Sequence, residues 1–528
     1  MLKNRSRLWW AAALIGWSFD LFYWQKPPGI SFTLQLLLIL GTLLIMSRQE
    51  EKPPVWQSLL LIVPVMVFGS LAFLRVEPFT RILNHLLSLI FLALLLLSFR
   101  GGRWPAYNLG DYLVGGFRLL INTIALPIDL ISAGRTRQDG ETAEREKTQT
   151  GWQSALPYLR GMLLALPILA VFAALFSAAD PIFASWMREL IELLRIEKLP
   201  EYILRLFLIG MWTLITAGLL LSALLKSEQE SLLGIDKPWL PHFLGFQETM
   251  IVLGSVNLLF LSFVTIQFRY FFGGEKNISL EAFTYAEYAR RGFGELLAAA
   301  FFTLLLLIAL NSITRRSSRW QSRMFTILSG LLTLFIGVIL ISSHQRLALY
   351  EAAYGFTRLR TYAHLCILWI GILFAGVLAL EILQKPRYFT LAALGAVAGF
   401  VLTMNTVSVD ALIARRNILR AARQEDPLDA HYLKRLSSDA VPAIIKLAET
   451  PGLTTEEKQE ISAVLACRAL EIEDRERPWP SFLLPLGRSA RRLENNRDLW
   501  ETVQLEQEYS SWYADLAGEK FFCGYASE

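Results

Sequence analysis

The chain of 528 residues is 54% hydrophobic and only 18% charged, with a mean hydropathy of +0.41. Soluble domains carry about 25% charged residues and spread their apolar positions at helical or strand period, so this composition excludes a soluble enzyme. A net charge of +5 and a pI near 9.0 suit a protein facing anionic lipid; the basic residues are scattered over short loops and give no reason to expect nucleic acid as a partner.

The apolar residues fall in blocks of about twenty, the length that crosses a bilayer core of about 30 Å. Trp9, Trp10, Trp24, Trp56, Trp104 and Trp186 mark block ends, as in an interfacial aromatic belt. The opening MLKNRSRLWWAAALIGW has the basic flank and apolar centre of a signal peptide. Asp20 and LFYW nevertheless stand where a small-residue cleavage site belongs, so it reads as a retained first helix with its basic flank in the cytoplasm. Four spans are expected at about 8–24, 30–46, 55–74 and 82–99, with links short enough to force antiparallel neighbours. Tyr112–Ile131 is amphipathic, with Asp111, Gly115, Arg118, Asn122 and Asp129 near one stripe. An arginine at mid-span costs about 2.5–3.5 kcal/mol, which predicts a helix lying on the membrane surface. The charged stretch Ser132 to Gln153 is expected to be a flexible loop.

Seven more spans are expected at about 161–178, 203–225, 249–268, 293–313, 324–343, 362–383 and 388–408. From Asp410 the chain reads as a charged helical tail, with Asp426-Pro427 as N-cap and first helical residue and Thr454-x-x-Glu457 as a capping box. The fold class is therefore all-α: a polytopic transmembrane helical bundle of about 11 spans with a C-terminal soluble α-helical tail. Its expected parts are an N-terminal four-helix membrane segment (1–100), an interfacial helix and polar loop (101–155), a seven-span core (156–408) and the tail (409–528).

With eleven spans, the links after the fifth, seventh, ninth and eleventh all fall on one face, and these carry the unusual residues. After the fifth is SAADPIF with Asp180, a capping residue ahead of Pro181. After the seventh is FRYFFGGEKNISLEAFTYAEYARRGFGEL. There Gly273-Gly274 ends a helix, Ser279 is an N-cap, and Glu281, Tyr285, Tyr288, Gly292 and Glu295 share a helical face beside a Glu287–Arg291 pair. HQRLALYEAAYGFTRLR follows the ninth, and VSVDALIARRN the eleventh. The candidate ligand-binding set is Glu281, Tyr285, Glu287, Tyr288, Arg290, Arg291, Arg346, Tyr350, Glu351, Tyr354, Arg358, Arg360, Asp410, Arg416 and Asn417. Arginines hold anions bidentately, and glutamates orient them or carry protons. The plain alternative is that such residues only anchor helix ends at the interface. His344 is expected to bond a neighbour, and Gly395-x-x-x-Gly399 to mark a close helix contact.

Cys366, Cys467 and Cys523 have no metal-ligand spacing, the five histidines are dispersed, and no nucleotide loop or nucleophile elbow is present, so no metal or cofactor is expected. Cys467 and Cys523 would pair in an exported domain; the alternative is two small half-buried residues. Lys3, Arg5 and Arg7 argue for an internal start, and Arg315, Arg316, Arg319 and Arg323 for an internal loop. With eleven spans the tail is then external, in a bacterial inner membrane; a twelfth span at Tyr112–Ile131 would make it cytoplasmic.

TYAEYARRGFGEL, LALYEAAYGFTRLRTYA, DALIARRNILR and LDAHYLKRLSSDAVPAI resemble an uncharacterised bacterial family of multi-pass membrane proteins, a domain of unknown function, over roughly Leu156 to Lys446. The resemblance implies a helical membrane core with a non-membrane tail and brings no catalytic residues. Three functions stay open. One is handling of a small polar or anionic solute, or a lipid headgroup, at a composite site on one membrane face. The others are an envelope sensor or scaffold that binds a protein partner through its tail, and a membrane-embedded transferase with Glu281, Glu287 or Glu351 as base. A non-enzymatic role in contact with membrane lipids is favoured.

Overall fold

The computed structural model describes residues 3–141, 165, 169, 172–173, 175–194, 199–228, 243–272, 293–423, 427–473, 477–516 and 519–525. Nine helices among the described residues are long and apolar enough to cross a membrane, and the chain is an all-helical polytopic bundle with a small C-terminal sheet. It divides into two compact units, residues 1–25 with 119–222 and residues 26–118 with 223–528.

In the first unit, α1 (Arg5–Tyr23) packs along α8 (Leu199–Leu221), with Phe19 stacked on Trp212 at 4.0 Å. Asp20 is held there in a bidentate pair with Arg205 at 2.5 and 2.9 Å, and Trp24 donates to Glu201. Also in this unit, Asp180 accepts from Ile182 N at 2.7 Å ahead of α7 (Pro181–Leu194), the expected capping role.

The second unit holds α2 (Ile30–Gln49), α3 (Trp56–Leu59), α4 (Ile62–Leu71), α5 (Pro78–Ser98), α9 (Phe246–Phe272), α10 (Phe293–Ile313), α11 (Arg319–Tyr354), α12 (Arg358–Ile382) and α13 (Phe389–Val407). The expected span at 55–74 is broken between α3 and α4, where Pro64 has no N–H to give to the preceding turn. On α11, Phe325, Leu332, Ile336 and Ile339 face inward while Ile327, Leu334 and Ile341 are exposed. That is tolerable in lipid and unfavourable in water. A capping box of Ser318 and Gln321 starts α11, and Gly355 ends it at φ 75°, a conformation open to glycine. Gly399 on α13 lies against the Trp369 ring, where a Cβ would sit 1.9 Å from it, so the close contact expected of this motif falls on its second glycine.

Backbone contacts sort the links of this unit into two faces. Ile30 N donates to Phe482 O, Leu484 N to Phe73 O, and Val76 N to Asp439 of the tail. The α4–α5 link and the chain ahead of α2 therefore lie on the tail's side. On the other side Val55 N donates to Phe99 O, Arg100 N to Ser227 Oγ, Arg315 N to Leu244 O, and Arg316 pairs with Glu381 at 2.9 Å.

The tail comprises α14 (Val409–Ala422), α15 (Ala430–Arg435), α16 (Val441–Leu447), α17 (Thr455–Glu473) and α18 (Leu484–Asn495) around a core that includes Ile413, Ile418, Leu433, Ile444, Ile461 and Leu493. Thr454 and Glu457 form the expected capping box, each bonding the other's backbone N–H. Asp426 lies outside the described residues, and α15 starts instead at Ala430, capped by Asp429. The tail is not wholly helical: β1 (Leu505–Glu508), β2 (Ser511–Leu516) and β3 (Glu519–Tyr525) form an antiparallel sheet in the order 1-2-3. Aromatic residues of this stretch pair across strands, as Tyr513 does with Phe522.

A further difference concerns Tyr112–Ile131 and the loop expected after it. One unbroken helix, α6 (Leu109–Glu141), covers Tyr112–Ile131 and the start of that loop, the rest of which lies outside the described residues, and its first 23 residues are long and apolar enough to cross. Twelve Leu, Ile, Val and Phe residues between Leu109 and Ile131 favour insertion by about 4–7 kcal/mol in total, set against roughly 2.5–3.5 kcal/mol for Arg118 and the further cost of Asp111 and Asp129 near the two ends. Leu113, Phe117, Leu120, Ile124 and Ile128 are all exposed along it. Single cysteines at Asn108 and Gly134, in a Cys366→Ser background, are expected to react with a membrane-impermeant maleimide from opposite compartments. Reaction from the same compartment would return α6 to the membrane surface.

Candidate functional site

The 36 residues of α11 make a rod of about 54 Å, well beyond a bilayer core of about 30 Å. Its last turns, which carry the LYEAAY sequence, thus stand at or above the membrane surface. There the link after the expected ninth span meets the link after the eleventh. Arg358, the first residue of α12, places its guanidinium on Asp410 at the start of α14, Nε to Oδ1 at 2.7 Å and Nη2 to Oδ2 at 2.6 Å. Asp410 is fully buried and also accepts from Ser437 N at 2.6 Å. The backbone N–H of Arg358 donates to Tyr432 Oη at 2.8 Å, and burial pushes the Tyr432 phenol above its usual range.

Asn417, two turns further along α14, clamps the same corner. Its Oδ1 accepts from Phe356 N at 2.8 Å and its Nδ2 donates to Phe356 O at 3.0 Å. Arg416 lies over the Phe356 ring at 5.8 Å. Arg360 donates to the Tyr354 and Gly355 carbonyls, where a cation suits a helix C-terminus, and sits over the Tyr350 ring at 4.0 Å. Tyr350 and Tyr354 are in ring contact at 5.1 Å. Glu351 is buried and bonded to His364 Nε2 at 2.8 Å, while His364 Nδ1 meets His344 at 2.9 Å, so His344 does bond a neighbour. Arg346 donates to Gln267 at 2.8 Å, which puts the end of α9 on this same side. Glu281, Tyr285, Glu287, Tyr288, Arg290 and Arg291 lie outside the described residues, as do Gly273, Gly274 and Ser279.

Residues not singled out from the sequence complete the region. Asp439 accepts from Val76 N at 2.9 Å and Glu77 N at 3.1 Å, with Arg75 at 3.9 Å, and burial raises its pKa. Glu77 in turn caps α5. Tyr432, Lys434, Arg435, Ser437 and Asp439 all belong to the LDAHYLKRLSSDAVPAI stretch, whose density of polar groups was the available signal.

Beside this network is a cavity of about 590 Å³, lined by Arg358, Lys434, Arg435, Arg468 and Arg477 against a single carboxylate among the described residues, Glu471. Trp479, Phe482, Trp512 and Tyr525 give it aromatic walls. The Cys467–Cys523 disulfide, also in the lining, ties β3 to α17. Arg468 is spent on structure, donating to the Lys434 and Leu436 carbonyls and to Glu471. Lys434 donates to Phe522 O, and burial with nearby Arg468 pushes its pKa down. Arg435 is exposed at the rim. The cavity thus has cationic excess, donors and apolar walls together.

The family described as a domain of unknown function, DUF4153, matches residues 62–447, and the chain belongs to it. The match begins at Ile62, well ahead of Leu156, and so takes in α4 to α6. No curated protein and no solved structure matches the chain.

The Arg358–Asp410 pair yields a stability prediction. Asp410→Ala leaves a part-buried guanidinium and Ser437 N unmatched, an expected cost of about 3–5 kcal/mol. The double variant Arg358→Met/Asp410→Leu is expected to lose much less, because no charge is stranded. Pulse proteolysis of the tail in urea measures both.

Proposed function

We propose that this membrane protein binds a small anion or an anionic headgroup in the basic cavity between its tail and the α4–α5 link. One observation carries the reading: Lys434 and Arg435 stand in an aromatic-walled space whose Arg358 and Arg468 are already paired with Asp410 and Glu471. Burial first, and nearby Arg468 second, lower the pKa of Lys434, and a bound anion offsets both. Of the corner candidates Arg358 lines the cavity, and Asp410 and Asn417 hold that wall in place. The scaffold and transferase readings draw no specific support from the described residues.

Titration of inorganic phosphate and of dihexanoyl phosphatidic acid into the purified full chain tests the proposal. Lys434→Gln with Arg435→Glu is expected to weaken binding by about 10- to 100-fold, the loss of one or two charge-assisted hydrogen bonds. Wild-type binding should also weaken as pH rises through the lowered pKa of Lys434, below the 10.5 of a free lysine, because only the charged amine attracts an anion. Equal binding by wild type and double variant overturns the site. Binding of the lipid alone identifies a headgroup ligand, and binding of both a free anion.

We further infer that the tail lies outside the cytoplasm of a bacterial inner membrane. The Cys467–Cys523 disulfide fits an oxidising compartment, and the basic link with Arg315, Arg316, Arg319 and Arg323 is on the face opposite the tail. A reporter active only outside the cytoplasm, fused after Glu528, is expected to be active; a silent reporter on a well-expressed chain reverses the orientation. Reduction of the disulfide, which closes a 56-residue separation, is expected to destabilise the tail by about 4 kcal/mol.

A further inference from the structure

A second cavity, of about 240 Å³, lies at the far end of the helices from the tail, where α10, α11, α12 and α13 meet behind the chain entering α6. Its walls are largely apolar, with Leu307, Phe325, Val377 and Phe389 among them. One polar atom in the lining lacks a partner. Ser329 is 6% exposed, and its Oγ is buried with no hydrogen bond. A serine or threonine inside a helix ordinarily satisfies its hydroxyl on the carbonyl four residues back. Thr333 does this to Ser329 O at 2.8 Å, and Ser343 to Ile339 O at 2.9 Å; Ser329 does not.

The charges around this space are already matched. Glu381 accepts from Arg316 at 2.9 Å and from Thr326 at 3.3 Å, and the Arg316 guanidinium covers the Phe325 ring at 4.3 Å. Arg387 is exposed and donates to Tyr388 Oη at 2.8 Å, so its charge stays in water. An ionic group placed on buried Ser329 would find no unmatched buried charge to meet it, whereas an uncharged one loses little on leaving water and can supply what Ser329 lacks. At about 30 Å³ per water the volume equals roughly eight waters, too small for a whole phospholipid and enough for a polar head with the first carbons of a chain.

We propose that this cavity binds an uncharged, hydroxyl-bearing amphiphile drawn from the membrane leaflet, its polar group on Ser329 and its chain along Leu307 and Phe325. The site is independent of the basic cavity, which lies on the other face and selects by charge.

A diazirine-bearing octanol is a suitable probe. Photolysed with the full chain in phosphatidylcholine nanodiscs, it is expected to label peptides containing Phe325–Thr333 and Phe389–Thr390. Ser329→Leu fills the space and should abolish that labelling; Ser329→Ala keeps the shape, removes the hydroxyl and should lower the yield at least threefold. Monoolein should compete and glycerol should not. Labelling at wild-type yield in either variant overturns the proposal, as does glycerol competing as well as monoolein, which would make the ligand a water-soluble polyol. Retention of the Arg316–Glu381 and tail contacts, read from an unchanged melting temperature, confirms that a variant is folded. Should Ser329→Leu fail that check, the alanine variant decides alone.

Discussion

Asp410 accepts three hydrogen bonds with no exposed surface, two from Arg358 and one from Ser437 N. The side chain joins the start of a membrane helix, the start of the first tail helix and a turn of the tail that also reaches the α4–α5 link through Asp439. Such a pair contributes little net stability compared with apolar residues of equal volume, because both ions lose their hydration. What it supplies is position. A guanidinium fork meets a carboxylate in one geometry, so the tail is set on the bundle at a defined place, and removing one partner strands the other. Asn417 on Phe356 and Arg360 on the end of α11 repeat the device with weaker groups.

The length of α11 explains why these charges stand at helix mouths rather than at mid-membrane. A helix that outruns the bilayer by several turns carries its polar residues into the interfacial zone, where water and tail groups satisfy them. Within the bundle the buried polar contacts are neutral and few. Asn84 and Asn405 exchange amide bonds at 2.9 and 3.0 Å, and Asn257 donates to Leu253 and Leu328 carbonyls. Both cost less in lipid than a charge would, and both fix which helices are neighbours.

Much of this was legible in the sequence because it rests on local periodicity. The helical membrane class, most spans, the Thr454–Glu457 box and the meeting of the ninth and eleventh links follow from hydropathy, capping chemistry and parity. Asp410, Arg358 and Asn417, picked out for their chemistry, meet at one corner, where they bond each other's elements. The partners that define the cavity were not legible, since Val76 and Asp439 are brought together only by the docking of the tail. The sheet was missed because its strands are short and highly charged, with edge residues such as Glu506 and Lys520 masking the alternation of Trp512, Ala514 and Phe521. On α6 the polar stripe of Asp111, Arg118, Asn122 and Asp129 argues for the membrane surface and the apolar length of the helix for a crossing.

The two ends of the second unit treat charge in opposite ways. On the tail side, carboxylates beside the cavity are consumed in capping and bridging, Asp439 on two backbone N–H groups and Asp410 on Arg358, so among the described residues the cavity wall holds more cations than acids. On the other side Arg316 and Glu381 cancel within one buried pair, and what remains open is a hydroxyl. An excess of donors with net charge selects an anion by long-range attraction, whereas a matched pair beside an unmet hydroxyl selects by shape and a single hydrogen bond. The difference arises from where the tail docks, because Asp410 and Asp439 beside the basic cavity are committed to holding it there.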